Sequence, residues 1–181
     1  MEYIDVIDKD TWKNTGVSMP KSEIHKNGDW HKSIHAWLVN SKNEILIQRR
    51  SPNKVNFPNF WDVTIGGHIS SGESVVDGAI REIKEEIGID VVIDDLKMVG
   101  RTSHQVVLAN GTYFDNEKIT VYVIKNNLEI SHFKIQYEEV EELRWIPIAE
   151  FKKWVDEKRD NLTPNWEEYE ILLKYLTENA K

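Results

Sequence analysis

The sequence predicts an α/β fold of the α+β type, an α/β/α sandwich in which helices cover both faces of a mixed β-sheet. The first observation is the order of the elements: strand-like segments come first, one central helix follows, and more strands precede two C-terminal helices. The second is the composition, because 40% hydrophobic and 30% charged residues are typical of a globular protein. The 181 residues contain no repeat or long linker, so one domain is expected over residues 1–181.

A β-hairpin and a short strand are predicted before the central helix. Segments 33–39 and 44–48 have the composition of strands, and the polar residues 40–43 between them are typical of a turn. A further short strand is predicted at residues 61–65, and it leads into two consecutive glycines.

The central helix has a start signal, an end signal and an apolar stripe. Ser74 is followed three residues later by Asp77, which is typical of a capped helix start, and Gly88 occupies the position of a left-handed C-cap. The spacing of the apolar residues predicts one buried face. That stripe consists of Val76, Ile80, Ile83 and Ile87.

The second half of the chain returns to strands and ends in helices. The dipeptide Asn110-Gly111 predicts a hairpin between strands at 97–107 and 118–124. Prolines near the starts of two later segments indicate helices. Short strands are also predicted at 91–93 and 142–146, and the two helices at 147–158 and 164–179.

Charge and composition exclude several classes of function. A formal net charge of −8 argues against non-specific binding to nucleic acid or to an anionic membrane surface. No apolar stretch approaches 18 residues, so no membrane span is expected. The first residues lack the basic and apolar regions of a secretory signal, and cysteine is absent. A cytoplasmic protein is therefore expected.

Three glutamates lie within one turn of the central helix. At about 100° per residue, Glu82, Glu85 and Glu86 fall on a face away from the apolar stripe. Carboxylates this close repel one another, and a hard cation with oxygen ligands would relieve that repulsion. Arg81 is placed beside Glu85 and predicted to orient a carboxylate, with Glu73 as a second partner. The alternative is an ordinary solvated acidic helix face.

Residues 67–89 match G-x5-E-x7-R-E-U-x-E-E-x-G-U, where U is aliphatic, at every position. This segment resembles the Nudix box of the Nudix hydrolase superfamily. The resemblance implies a catalytic strand–loop–helix at residues 62–89 within a domain core at about 30–160. It also implies hydrolysis of a diphosphate linkage and, as one oligomeric state, a homodimer.

The same resemblance implies roles for individual residues. Glu82, Glu85 and Glu86 would bind Mg²⁺, or Mn²⁺ as the alternative ion, together with the carbonyl of Gly67. Arg81 would hold a carboxylate in place. The general base would be one of the box glutamates or a glutamate from a later loop. The predicted catalytic residues are Arg81, Glu85, Glu86 and Glu139.

A second resemblance is to the isopentenyl-diphosphate isomerase-like branch of this superfamily. It rests on five segments, 25–31, 37–40, 48–54, 58–62 and 67–68. The isomerases use a cysteine two residues before the histidine that matches His68, and this chain has Gly66 there and no cysteine. Their boxes are usually degraded at the metal-binding glutamates, whereas this box is complete. Hydrolysis is therefore predicted, with a prenyl-diphosphate isomerase and a non-catalytic nucleotide-sensing module as alternatives.

Residues outside the box are predicted to bind the substrate. Arg50 and Lys54 flank a turn after a strand, and such cations suit diphosphate oxygens, although a solvated loop is the alternative. His68 completes this group. Trp61, with Trp30 as a second candidate, is predicted to line the pocket, while most tryptophans are expected in the core.

Two further predictions leave alternatives open. His25, His31 and His68 would bind a metal, as their counterparts do in the isomerases, or form ordinary hydrogen bonds. Glu138 and Glu139 precede the last strand, where they would supply the base or form a solvated acidic edge.

The expected partner is a small-molecule diphosphate. Superfamily frequency favours a nucleoside diphosphate or a related nucleotide derivative. No nucleic acid and no membrane partner is expected.

Overall fold

The computed structural model describes residues 2–179, and the chain begins with a small antiparallel sheet of two strands followed by a short helix. The sequence did not predict these three elements, because their apolar residues are few and follow no long period. They are β1 (Tyr3–Ile7), β2 (Asn14–Pro20) and α1 (Lys21–Asn27).

One mixed sheet forms the centre of the fold. Its path runs through five strands, and two more pair to its inner strands. The seven are β3 (His31–Val39), β4 (Glu44–Arg50), β5 (Trp61–Asp62), β6 (Ile65–His68), β7 (Lys97–Leu108), β8 (Tyr113–Lys125) and β9 (Val140–Pro147). The order is β5-β4-β3-β8-β7, with β6 paired to β3 and β9 paired to β4. The β3–β8 pair is parallel and the others are antiparallel, so the predicted mixed sheet is confirmed.

Helices cover both faces of this sheet, as predicted. They are α2 (Val75–Ile87), α3 (Ile148–Asp156) and α4 (Trp166–Glu178). Alternate residues of β3 point to opposite faces: Ile34 joins the cluster that includes α2, whereas Trp37 packs with Phe151 of α3 and Tyr169 of α4. In residues 2–179 no helix is long and apolar enough to cross a membrane.

Helix α2 has the predicted ends and a slightly different buried face. The Ser74 side chain accepts a hydrogen bond from the Asp77 amide, and Gly88 takes the left-handed C-cap conformation with φ of 74°. Ile83 and Ile87 are buried as predicted. The rest of the buried face is Gly78, Ala79 and Glu86, while Val76 and Ile80 are half-buried.

Two strand predictions were wrong in detail. Residues 61–65 form two strands, because the Thr64 hydroxyl donates to the Leu46 carbonyl and accepts from the Leu38 amide, which takes the place of strand pairing there. Residues 91–93 are not a strand. Their neighbourhood is a 3₁₀ turn at Ile93–Asp95, in which the Asp95 carboxylate accepts from the Val92 amide at 2.9 Å.

The hairpins and the last helices follow the sequence signals. β3 and β4 pair at the predicted turn, and Asn110 adopts a positive φ of 55° between β7 and β8. Strand β8 begins at Tyr113, five residues before the predicted start, and this extension carries acidic residues into the site described next.

Candidate functional site

The three predicted glutamates of α2 occupy different environments. Glu85 is exposed, with 53% of its side chain accessible, whereas Glu82 is mostly buried. Glu86 is only 4% exposed, and its Oε2 atom is buried with no hydrogen-bond partner among the described residues. One carboxylate oxygen is thus held out of water without a protein donor, which is costly unless a cation occupies the space beside it.

Arg81 links the acidic residues to the turn before the helix. It donates two hydrogen bonds to Glu73, at 3.0 and 2.9 Å, one to Glu82 at 2.8 Å and one to Glu85 at 3.1 Å. A further bond, at 2.9 Å, goes to the carbonyl of His68 at the end of β6. The guanidinium therefore holds carboxylates at a defined position relative to the glycine turn.

Gly67 is in contact with one of these glutamates. A Cβ atom at this position would lie 2.6 Å from Oε1 of Glu82 and closer still to its Cγ and Cδ. The absence of a side chain therefore creates the space in which the Glu82 carboxylate lies, next to the Gly67 backbone.

The carboxylates also disfavour one another's ionisation. Burial raises the pKa of Glu86 well above its ordinary value, and the charges of Glu82 and Glu139 raise it further. Burial likewise raises the pKa of Glu82, although Arg81 opposes that shift. The Glu86 oxygen without a partner among the described residues and the Glu82 carboxylate held beside Gly67 fit a divalent cation. Its positive charge would favour ionisation of both carboxyl groups, and such cations prefer oxygen ligands.

A cleft of about 300 Å³ is lined in part by Gly66, Gly67 and His68 of β6, the strand that precedes this helix. Its lining includes Gly67, which contacts Glu82, and Glu139, whose charge acts on Glu86. The three helix glutamates themselves are not among the lining residues. The sequence-predicted residues that line the cleft are Arg50, Lys54, Gly67, His68, Glu138 and Glu139.

The cationic residues of the cleft are paired with acids. Arg50 contacts Asp62 at 2.9 Å and the Asn56 carbonyl at 3.0 Å, and Lys54 pairs with Glu139. Burial raises the pKa of Glu139, but the charge of Lys54 outweighs it and the net shift is downward, so Glu139 is ionised at neutral pH.

Trp61 does not belong to the cleft lining. Its side chain is 5% exposed and lies in the core, with its ring 6.2 Å from that of Trp154 and under the Arg144 guanidinium at 4.5 Å. Trp30 packs under Lys118 at 4.5 Å. Phe57 and Tyr113 line the cleft, and the sequence did not predict either of them; the ring of Tyr113 stacks on His25 at 4.5 Å.

The three predicted histidines come together with an acid that the sequence analysis did not identify. One potential ligand atom from each of His25, His31, His68 and Asp115 lies within 4.8 Å of the others. The Nε2 atoms of the histidines and Oδ1 of Asp115 are buried without hydrogen-bond partners within residues 2–179. This group, called the histidine cluster below, has the donor set of a metal site.

Backbone carbonyls fix the Nδ1 atoms of two histidines in this cluster. Nδ1 of His25 lies 2.8 Å from the Lys21 carbonyl, and Nδ1 of His31 lies 3.0 Å from the Asp29 carbonyl. A ring that donates from Nδ1 to a carbonyl leaves Nε2 free to bind a metal. Burial lowers the pKa of His68 well below its ordinary value, so this ring is neutral, as a ligand must be.

Glu117 adjoins the cluster, with Oε1 at 3.7 Å from His31 Nε2 and 3.2 Å from His68 Nε2. Burial opposes its ionisation, but contact with His31 outweighs this and lowers the pKa of Glu117. The sequence does contain a signal for Asp115 and Glu117, which were not predicted. These two residues and Ile119 are spaced two apart, so they lie on one face of β8 once the strand is extended to Tyr113.

The fold and the strand–turn–helix site are those of hydrolases that act on pyrophosphate bonds. The family model of the NUDIX domain matches residues 29–166. The chain therefore belongs to the NUDIX family, whose hydrolases generally use a divalent metal ion.

Relatives by sequence carry Nudix hydrolase and isomerase names. An uncharacterized Nudix hydrolase of Clostridium acetobutylicum is 34% identical over 89% of this chain and 77% of its own length. Nudix hydrolase 3 of Arabidopsis thaliana is 31% identical over 90% of this chain, which spans only 21% of that protein. An isopentenyl-diphosphate Delta-isomerase of Cereibacter sphaeroides is 28% identical over 82% of both chains. The predicted superfamily and its isomerase-like relatives are thus confirmed.

A solved structure supports the fold. A Deinococcus radiodurans protein covers 99% of this chain and 100% of its own, with a TM-score of 0.68 and 19% identity. At this identity the likeness concerns the fold alone.

Proposed function

We propose that this protein is a Mg²⁺-dependent hydrolase of a diphosphate linkage in a nucleoside diphosphate or a related nucleotide derivative. The observation that carries the proposal is the buried Oε2 of Glu86, which has no hydrogen-bond partner among the described residues. The charge of Glu82, whose side chain packs against Gly67, acts on the same carboxyl group. Glu85 would complete the ligand set from the exposed side, with Mn²⁺ as the alternative ion.

A bound divalent ion supplies charge neutralisation at diphosphate oxygens and activation of a water molecule. The chain's own residues do the rest. Arg81 holds Glu82 and Glu85 against the turn, and Arg50 and Lys54 in the cleft lining offer cations to the diphosphate. Glu139, ionised beside Lys54, is the proposed acceptor of the proton from water.

The second candidate is a prenyl-diphosphate isomerase. The histidine cluster and the 28% identical isomerase favour it. The chain argues against it, because Gly66 stands where the isomerase resemblance requires cysteine and no cysteine exists elsewhere. An isomerase would move a double bond without releasing phosphate.

We expect Mg²⁺-dependent release of a phosphorylated product in a screen of nucleoside di- and triphosphates, nucleotide sugars, dinucleoside polyphosphates and prenyl diphosphates. Products are identified by mass spectrometry and phosphorus NMR, with EDTA as the metal-free control. Double-bond migration in a prenyl diphosphate, without hydrolysis, would support the isomerase instead. Binding of a nucleotide with no turnover in Mg²⁺ or Mn²⁺ would indicate a sensing module.

We further propose that the histidine cluster binds a second divalent ion, of the transition-metal type that imidazole prefers. Addition of Mn²⁺ or Zn²⁺ is expected to raise the thermal midpoint of the EDTA-treated protein, because an ion bound only by the folded state stabilises it. His25→Gln removes one ligand and is expected to weaken the ion's affinity by at least about tenfold. Metal titration followed by differential scanning fluorimetry measures both effects.

Two variants separate this ion from the one at α2. His104 also lines the cleft but lies outside the cluster, so His104→Gln is expected to keep the affinity of the wild type. Glu85→Gln is expected to leave it unchanged as well. Equal affinity of His25→Gln and the wild type would contradict the assignment.

A further inference from the structure

Like His104, His35 lines the cleft but lies outside the histidine cluster. It belongs to β3 and pairs in register with Gly66 of β6, which also lines the cleft. A Cβ atom on Gly66 would lie 3.1 Å from Cδ2 and 3.2 Å from Nε2 of this ring. The Nε2 edge of His35 therefore faces Gly66, where the neighbouring strand has no side chain. A ligand atom has room to approach the ring there.

The opposite edge of the ring is anchored in the core. Nδ1 of His35 lies 2.5 Å from Oε2 of Glu168, whose other carboxylate oxygen accepts a hydrogen bond from Trp37 Nε1 at 2.7 Å. Glu168 belongs to α4 and is 1% exposed. A carboxylate at this depth requires a paired donor, and the ring supplies it. The pairing fixes the ring with Nδ1 towards the core and Nε2 towards the cleft.

The anchor also determines the charge of the ring. Burial opposes protonation, but the charge and hydrogen bond of Glu168 outweigh it and raise the pKa of His35 to about 9. The other charged groups that act on it, Asp62 of β5 and Glu117 of β8, favour protonation as well. The ring is therefore an imidazolium at neutral pH, and both of its nitrogens are donors.

We propose that His35 contacts the substrate by donating a hydrogen bond from Nε2 to a phosphate oxygen, while Glu168 positions the ring from the core. Within residues 2–179, Nε2 makes no hydrogen bond, whereas Arg50 and Lys54 are each paired with an acid. This inference rests on the diphosphate substrate proposed above. The proposal makes His35 a substrate-binding residue that belongs to none of the sequence motifs described above.

The test measures the binding of inorganic pyrophosphate by calorimetry in EDTA, without turnover. In His35→Asn the amide nitrogen replaces Nδ1 and keeps a donor for Glu168, but nothing replaces Nε2. We expect its Kd for pyrophosphate to rise by about ten- to a hundredfold, the usual effect of losing a charge-assisted hydrogen bond. His132 is exposed and outside the cleft, so His132→Asn is expected to bind as the wild type does.

A second variant tests the positioning role of Glu168. Glu168→Gln removes the charge that keeps His35 protonated, so the pKa of the ring falls towards its ordinary value. At pH 8 the ring is then neutral, and at pH 6 part of the population is protonated. The ratio of the variant's Kd to that of the wild type is therefore expected to be larger at pH 8 than at pH 6. A purely structural role for Glu168 predicts the same ratio at both pH values.

The outcomes are decisive for His35 independently of catalysis. Wild-type protein that does not bind millimolar pyrophosphate, or His35→Asn with an unchanged Kd, would overturn the proposal. Should His35→Asn not fold, the nitrogen NMR signal of His35 Nε2 in the wild type replaces it: a shift on pyrophosphate addition is expected, and no shift refutes the contact. Failure of the proposed function would be seen in a different measurement, as the absence of hydrolysis in the Mg²⁺-dependent substrate screen.

Discussion

Replacement of Glu86 by glutamine is expected to lower kcat/KM for Mg²⁺-dependent hydrolysis by about a hundredfold or more. Residues that only orient metal ligands typically cost 10- to 100-fold when they are replaced, and Glu86 is proposed to be a ligand itself. Glutamine keeps the shape of the side chain but has no negative charge to offer the ion. The measurement is steady-state hydrolysis of the best substrate from the screen over a range of Mg²⁺ concentrations.

The stability of the same variant shows whether the loss is one of chemistry or of folding. Burial raises the pKa of Glu86 in the folded protein. A carboxyl group whose pKa is higher in the folded protein than in the unfolded chain binds its proton more tightly when the protein is folded. Its protonation therefore stabilises the fold at low pH, and this stabilisation is lost as the pH rises through the pKa of the folded state. Ionised Glu86 therefore disfavours the metal-free fold at pH 8, and glutamine does not ionise. In EDTA at pH 8, Glu86→Gln is expected to unfold at the same urea concentration as the wild type or at a higher one.

Glu150, an exposed residue of α3, provides the matched control. Glu150→Gln makes the same chemical change away from the site and is expected to leave both hydrolysis and stability unchanged. Near-normal turnover of Glu86→Gln would contradict the proposed role of this glutamate in metal binding.

The parts of the site that the sequence predicted are those formed by short-range geometry. Arg81, Glu82 and Glu85 lie within five residues on one helix, so helical periodicity alone places them together. The helix cap at Ser74 and the left-handed Gly88 follow from local backbone chemistry in the same way. The spacing did not predict the burial of Glu86, because that depends on how the helix is rotated against the sheet.

The parts that the sequence did not predict depend on long-range contacts. His35 and Glu168 are 133 residues apart, and only the packing of α4 on the β3 face brings them together. Trp61 was predicted for the pocket, but the packing of α3 on the same face of the sheet places it in the core beside Trp154. Neither outcome follows from spacing, because both depend on which face of the sheet each helix covers.

The two proposed ion sites lie on opposite sides of strand β6 for a simple geometric reason. Successive residues of a strand face opposite sides of the sheet. Gly67 faces α2 and Glu82, and the next residue, His68, faces the histidine cluster. A single short strand thus connects the acidic site to the histidine cluster, so a change at Gly67 is expected to affect the first site directly.

Gly67→Ala is expected to lower kcat/KM by on the order of a hundredfold. The added methyl group would overlap the Glu82 side chain, with Oε1 only 2.6 Å from the new Cβ. Because Glu82 is long and flexible, it can move away at modest cost to folding, which we expect to be about 1–2 kcal/mol. Its carboxylate would then leave its position beside Arg81, and a displacement of about 1 Å at a reacting site costs roughly 10²-fold in rate. Hydrolysis assays and urea unfolding measure the two effects.

Gly100→Ala is the control that separates steric crowding from loss of the site. A Cβ atom on Gly100 would lie 2.5 Å from Cγ2 of Ile171, a comparable overlap between β7 and α4, and neither residue lines the cleft. We expect a similar loss of stability in this variant but a kcat/KM close to that of the wild type. If both alanine variants lost activity in proportion to their loss of stability, Gly67 would matter only for folding. Because its missing side chain provides the space for Glu82, we expect activity to fall in Gly67→Ala alone.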